Sequence, residues 1–194
     1  MDRTLLFENA RVVLPHAVVS GWVAVAGEHI VEVGEGRAPE RGIDLAGDLL
    51  TPGLIELHTD HLESHLKPRP KVHWPPVAAV VAYDAQIAAS GITTVFDSLR
   101  VGNDADYVSH LDELWGIVDA IEAAKSQDLL RAEHRMHLRC EICADDVVDH
   151  TQRFAERCDI GLLSLMDHTP GARQFCDLEA WKTYYGGKSG LPES

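Results

Sequence analysis

The sequence predicts a parallel α/β fold led by a small β unit, and three observations carry that prediction. Four near-continuous apolar runs, at 51–60, 91–97, 135–142 and 160–168, each end in polar residues, as strands buried on both faces do when their C-terminal ends open to a site. Helical segments alternate with those runs, the order expected of a parallel sheet. Neither G-x-G-x-x-G nor G-x-x-x-x-G-K-[ST] occurs, which removes the two commonest nucleotide-binding versions of such a sheet and favours a barrel.

Residues 1–50 read as short extended segments broken by turns, LLFENARVVL, GWVAVAGEHIVEVG and IDLAGDLL, forming a partial antiparallel β-sandwich. Val23, Val25, Ile30, Val31 and Val33 supply the β-branched surface on which such a sheet packs. Three strands enclose no core by themselves, so a later segment has to complete it. The barrel portion spans 51–185 and opens with the strand LTPGLIELHTD. Residues 76–90 begin with prolines suited to a helix N-terminus and stop before Gly91. In 105–130, Val108, Leu111, Leu114, Trp115, Val118 and Ile121 recur at offsets of three and four, an amphipathic stripe that only Gly116 threatens to interrupt. A third helix, 145–157, starts with Asp145 and Asp146 at the positive end of its dipole, and 173–185 is a weaker fourth. The small, turn-rich stretch 186–194 reads as a flexible tail. A complete (β/α)8 barrel takes about 250 residues, and only four βα units fit here, so the barrel is incomplete.

Seventeen Lys plus Arg against 31 Asp plus Glu give a net charge of −14, which argues against nucleic-acid or anionic-membrane partners. No apolar run reaches the roughly 18 residues needed to cross a bilayer, and the first residues lack a cleavable leader pattern, so a cytoplasmic location is expected. Cys140, Cys143, Cys158 and Cys176 form no evenly spaced framework. The offset of three sends Cys140 and Cys143 to opposite faces of a strand, and all four read as reduced, mostly buried packing residues.

The densest polar cluster is 58–65, with three His, one Asp and one Glu in eight residues. Strand alternation puts His58 and Asp60 on one face, a metal-ligand spacing. The third strand offers His137, Arg139 and Glu141 on one face, opposite Leu138, Cys140 and Ile142. Three ionisable groups on an apolar strand have to be paired, metal-bound or wet. Glu141 is therefore a candidate carboxylate ligand and Arg139 a candidate anion contact, unless Arg139 simply bridges to Glu141 or Asp97. Asp97 at the end of the second strand is expected to orient a ligand histidine from outside. Asp167 and His168 are adjacent, so only one of them faces the site directly. Between Glu63 and Asp84 no acidic residue occurs, while Lys67, Arg69 and Lys71 recur every second position on a proline-stiffened arm. That arm is either a grip for an anionic substrate or a solvated loop answering acidic neighbours.

HTDHLESHLKPRP with HWPP, and SLMDHTPGARQF, add specific motifs to the more generic TPGLIELH and SGITT. On these, the whole chain resembles the N-terminal half of the PhnM family of the amidohydrolase superfamily. The resemblance implies an incomplete (β/α)8 TIM barrel with a β-sandwich segment. It also implies a metal-dependent hydrolase of the carbon-phosphorus lyase pathway, which splits α-D-ribose 1-methylphosphonate 5-triphosphate into the 5-phosphate and pyrophosphate. It implies one or two divalent ions, zinc first, with manganese or iron as alternatives. His58, Asp60, Glu141 and His168 would be ligands, with Asp60 where most of the superfamily carries the second histidine of H-x-H. His61, Lys67, Arg69 and Arg139 would meet the small anionic phosphate or phosphonate substrate. The proton-shuttle aspartate is expected beyond Ser194. Self-association or pairing with a complementary half would then complete the site. The alternatives are a hydrolase of a cyclic amide or N-acyl substrate, and a catalytically silent interaction half.

Overall fold

The computed structural model describes residues 4–103, 111–169, 171, 173 and 176–189. They form two compact units, Met1–Gly53 and Leu54–Ser194. The first holds β1 (Thr4–Val13), β2 (Val18–Ala26), β3 (His29–Glu35), β4 (Ile43–Asp44) and β5 (Leu49–Leu50). Its sheet runs β3-β2-β1-β4, with β5 also on β1. The expected antiparallel unit is thus mixed, because β4 and β5 pair parallel to β1. Gly27, at φ 57°, starts the two-residue turn between β2 and β3. Across that hairpin the Trp22 ring lies so close over Gly34 that a Cβ there would sit 2.3 Å from it. The core of this unit is two small clusters, around Leu6 and Trp22 and around Ala10, Val12 and Val23. Contrary to expectation, Ile30, Val31 and Val33 are exposed on β3, which lies at the edge of its sheet.

The second unit contains β6 (Leu54–Thr59), α1 (Leu62–Leu66), α2 (Pro76–Ala89), β7 (Ile92–Val101) and α3 (Leu111–Ser126). It continues with β8 (Glu133–Glu141), α4 (Val147–Arg157), β9 (Ile160–Met166) and α5 (Leu178–Ser189). The four strands make one parallel sheet in the order β6-β7-β8-β9, the arrangement of half a barrel. Pro76 opens α2, and Gly91, at φ 78°, turns the chain from it into β7. Gly116 does not interrupt α3, whose buried stripe runs through Leu114, Ile117, Val118 and Ile121. The part of the stripe at Val108 lies outside the described residues. Asp146 stands at the N-cap position of α4 but makes no capping bond with its side chain, which instead accepts hydrogen bonds from Asn103 N (2.9 Å) and Nδ2 (2.6 Å). The last helix is displaced from the expected 173–185 and extends through Ser189, while 190–194 lie outside the described residues. Among the described residues no helix is long and apolar enough to cross a membrane.

The core of this unit lies between the sheet and its helices, where Val80, Val95, Leu138 and Phe154 are wholly enclosed. Phe154 stacks on Trp115 at 4.1 Å between ring centres, and the Arg157 guanidinium covers the same indole at 4.5 Å. Each such large apolar side chain contributes about 1.5–3 kcal/mol by leaving water. The other face of the sheet carries Ser98, Arg100, His137, Arg139 and Glu141.

Candidate metal and anion site

Strand alternation alone would present His58 and Asp60 together, but a β-bulge intervenes. Glu56 pairs with Val95 and Thr59 with Asp97, so three steps along β6 match two along β7. The strand ends at Thr59, leaving Asp60 in the turn that follows. The His58 ring meets His137 edge-on, 5.0 Å between centres. Asp60, 64% exposed at its side chain, receives a hydrogen bond of 3.1 Å from Arg139 Nη1.

On β8 the expected face holds. His137 is buried between the hydroxyls of Ser98 (3.0 Å) and Ser164 (2.8 Å). Burial, with the nearby His58, lowers its pKa and favours the neutral imidazole. Arg139 also points Nε at Met166 Sδ, 3.2 Å away. Its acidic partner is Asp60, neither of the two expected carboxylates. Glu141, 1% exposed, accepts hydrogen bonds from Arg100 Nη2 (3.3 Å), His168 N (3.1 Å) and His168 Nδ1. A polar group this enclosed requires hydrogen-bonding partners, and these three donors supply them.

Asp167 and His168 both follow the end of β9, so the adjacency argument is resolved by the turn. His168 goes to Glu141, whereas Asp167 meets Thr169, Cys143 and Arg173. The Thr169 hydroxyl and amide, helped by Cys143 and Arg173, bring the Asp167 pKa down to about 2. Among the described residues, ligand atoms of Glu141, Cys143 and Asp167 lie within 4.8 Å of one another. Cys143 and Cys176 are exposed, against the expectation that the cysteines are mostly buried, while all four are free thiols. Cys143 escapes the strand because β8 ends at Glu141.

The remaining expected residues are placed differently. His61 stacks edge-on against His65 (5.4 Å) and approaches Gln86 of α2 (3.4 Å). Lys67 Nζ pairs with Glu113 at the start of α3, 2.6 Å away, with both about half exposed. Arg69 is exposed and its backbone bridges to Val72. Beside this arm a cleft of about 420 Å³ opens between Leu66, Trp74 and Ile117, separate from the inner face of the sheet. The arm nonetheless emerges at the C-terminal end of the sheet, because β6 runs directly into α1 and α2 returns to start β7. Asp97 is not a strand-end residue, since β7 continues to Val101, and it faces the helices, where it accepts from His134. Arg100, Ser98 and Ser164 were missed by the sequence reading. Continuing β7 past Asp97 would have put Ser98 and Arg100 on one inward face.

The sequence is 41% identical to the α-D-ribose 1-methylphosphonate 5-triphosphate diphosphatase of Escherichia coli strain K12 over 192 residues. The chain is similar to this PhnM protein along nearly its whole length. That match takes in 98% of this chain and 50% of the relative, so the chain spans about half the length of this PhnM protein. No family model matches the sequence. The L-hydantoinase of Arthrobacter aurescens is similar in structure, with a TM-score of 0.52 at 15% identity, over 84% of this chain and 32% of that one. The N-acetyl-D-glucosamine-6-phosphate deacetylase of Mycobacterium smegmatis gives 0.51 at 17% identity, over 87% and 49%. At these identities the likeness is one of fold, that of the amidohydrolases.

Proposed function

We propose that this chain supplies half of a metal-dependent diphosphatase of phosphonate catabolism, acting on α-D-ribose 1-methylphosphonate 5-triphosphate to release pyrophosphate and leave the 5-phosphate. The observation that carries the reading is the 41% identity to the named diphosphatase along nearly the whole chain. The donor chemistry fits a divalent cation such as zinc, manganese or iron. His58 offers an imidazole, Asp60 and Glu141 hard carboxylates, and His168 a second imidazole, all at the C-terminal ends of parallel strands. Such an ion, when bound, lowers the pKa of a water so that it can attack phosphorus at neutral pH.

The chain's own residues prepare the rest. Arg100 and His168 donate to the buried Glu141 and fix the orientation of its carboxyl group. Arg139, held in place by Asp60 and Met166, directs a guanidinium across the inner face, where it suits the oxygens of a polyphosphate. Arg69, and Lys67 once released from Glu113, would neutralise charge on the triphosphate from the arm. Strands from a second copy or from a complementary half would complete the barrel.

Phosphorus NMR of the ribose methylphosphonate triphosphate, mixed with the chain and Zn²⁺ or Mn²⁺, tests the reading. Pyrophosphate is expected, and Asp60→Asn should abolish it. Release that persists in Asp60→Asn would overturn the ligand assignment, and phosphate rather than pyrophosphate would overturn the reaction.

A further inference from the structure

The β6 ladder does not hold His58. The residue lies within the bulge, between the ladder pairs Glu56–Val95 and Thr59–Asp97, and its amide donates instead to Glu56 Oε1 at 2.9 Å. Among the described residues no hydrogen bond holds its ring nitrogens. Its ring does meet that of His137 on β8, with 5.0 Å between centres and 82° between planes, the edge-to-face arrangement that aromatic rings favour. β7 lies between β6 and β8, so the two backbones stand about 9.5 Å apart at ordinary strand spacing. Ser98, in register with His137 on the intervening strand, is short enough to let the two rings meet across that gap.

His137, by contrast, is fixed on both sides. Its buried ring bonds through Nδ1 to Ser98 Oγ at 3.0 Å and through Nε2 to Ser164 Oγ at 2.8 Å. A serine hydroxyl donates or accepts by rotating, so both bonds form in either tautomer of the ring. One imidazole thus ties β7, β8 and β9 together across the inner face. With both nitrogens engaged it has none left for a cation, and what it offers His58 is ring carbon. A buried polar group whose partners are all supplied is rigid and keeps one orientation, which an apolar side chain of similar size would not specify.

We propose that Ser98, His137 and Ser164 are positioning residues for His58: two hydroxyls fix the His137 ring, and that ring holds the His58 imidazole in its metal-binding orientation. The inference rests on the ligand reading above for its metal readout, but not for its structural one. Ser164→Ala removes one hydroxyl at a half-buried site and keeps the strand. Its far-ultraviolet circular dichroism should be unchanged, the nuclear Overhauser contact between the His58 and His137 rings should weaken, and Co²⁺ affinity should fall about tenfold, as for outer partners of metal ligands. Ser98→Ala should do the same. Ser164→Thr, which keeps a hydroxyl, should retain both the ring contact and the affinity. A ring contact or a Co²⁺ affinity that is unchanged in both alanine variants would overturn the proposal, as would a Ser164→Thr variant that behaves like Ser164→Ala. Co²⁺ affinity that is insensitive to His58→Ala would instead overturn the ligand reading, leaving the ring contact to decide whether the serines orient His58.

Discussion

The two faces of the parallel sheet are built from alternate residues of the same strands, yet they hold charge in opposite ways. On the helix side, Asp84, Asp97 and His134 are closed off from water and bond to one another. On the inner side, Asp60 is largely exposed, Arg139 is held by a single carboxylate and a thioether, and neutral His137 rests between two serines. Enclosure turns charge into architecture, and partial exposure leaves it available to a ligand. The two histidines show the contrast most directly, since neighbours raise the pKa of one and burial lowers that of the other.

The largest effects should come from the enclosed face. Phe154→Ala, emptying the space beside Trp115, should cost about 3–5 kcal/mol in urea unfolding. Asp84→Ala leaves His134 and two backbone amides short of a partner and should cost about 3 kcal/mol by the same measurement.

The pH dependence separates the faces by sign. The raised His134 pKa means that the folded chain holds a proton the unfolded chain gives up near pH 6.5. Its contribution is complete below about pH 6.5 and is lost as pH rises through the folded pKa. The lowered His137 pKa acts the other way, contributing above about pH 6.5 and being lost as pH falls through the folded pKa. Urea midpoints measured from pH 5 to 9 should therefore lose their alkaline decline in His134→Gln and part of their acid decline in His137→Gln. The reverse pattern would break the comparison.

Smaller stability effects belong to the open face. Asp60→Asn breaks one exposed ion pair and should cost under about 1 kcal/mol while markedly weakening Co²⁺ binding, read by calorimetry. Lys67→Ala, at an exposed pair with Glu113, should change the urea midpoint least, by about 0–1 kcal/mol.

The helix side was legible where packing follows period and composition, as in α2 between Pro76 and Gly91 and in the stripe of α3. The metal segment was only partly so. His58, Asp60, Glu141 and His168 stood out as polar strand ends, but alternation assumes an unbroken ladder, and the bulge before Thr59 removes that assumption. Likewise, the polarity of Asp97 suggested a strand end, when its place is mid-strand under α2. A buried carboxylate looks like a rim carboxylate until its partner, 37 residues away in His134, is brought against it.

By itself the sequence determined the alternation of strands and helices, the inward set His137, Arg139 and Glu141, and the family resemblance, since these rest on local period and on motifs carried in order along the chain. Tertiary structure alone decided the pairings: Arg139 with Asp60, Glu141 with Arg100 and His168, Lys67 with Glu113, and His134 between Asp84 and Asp97. The reason is physical. Period tells which face a side chain takes, but the partner of a charge depends on register between strands distant in sequence, and one bulged residue resets that register.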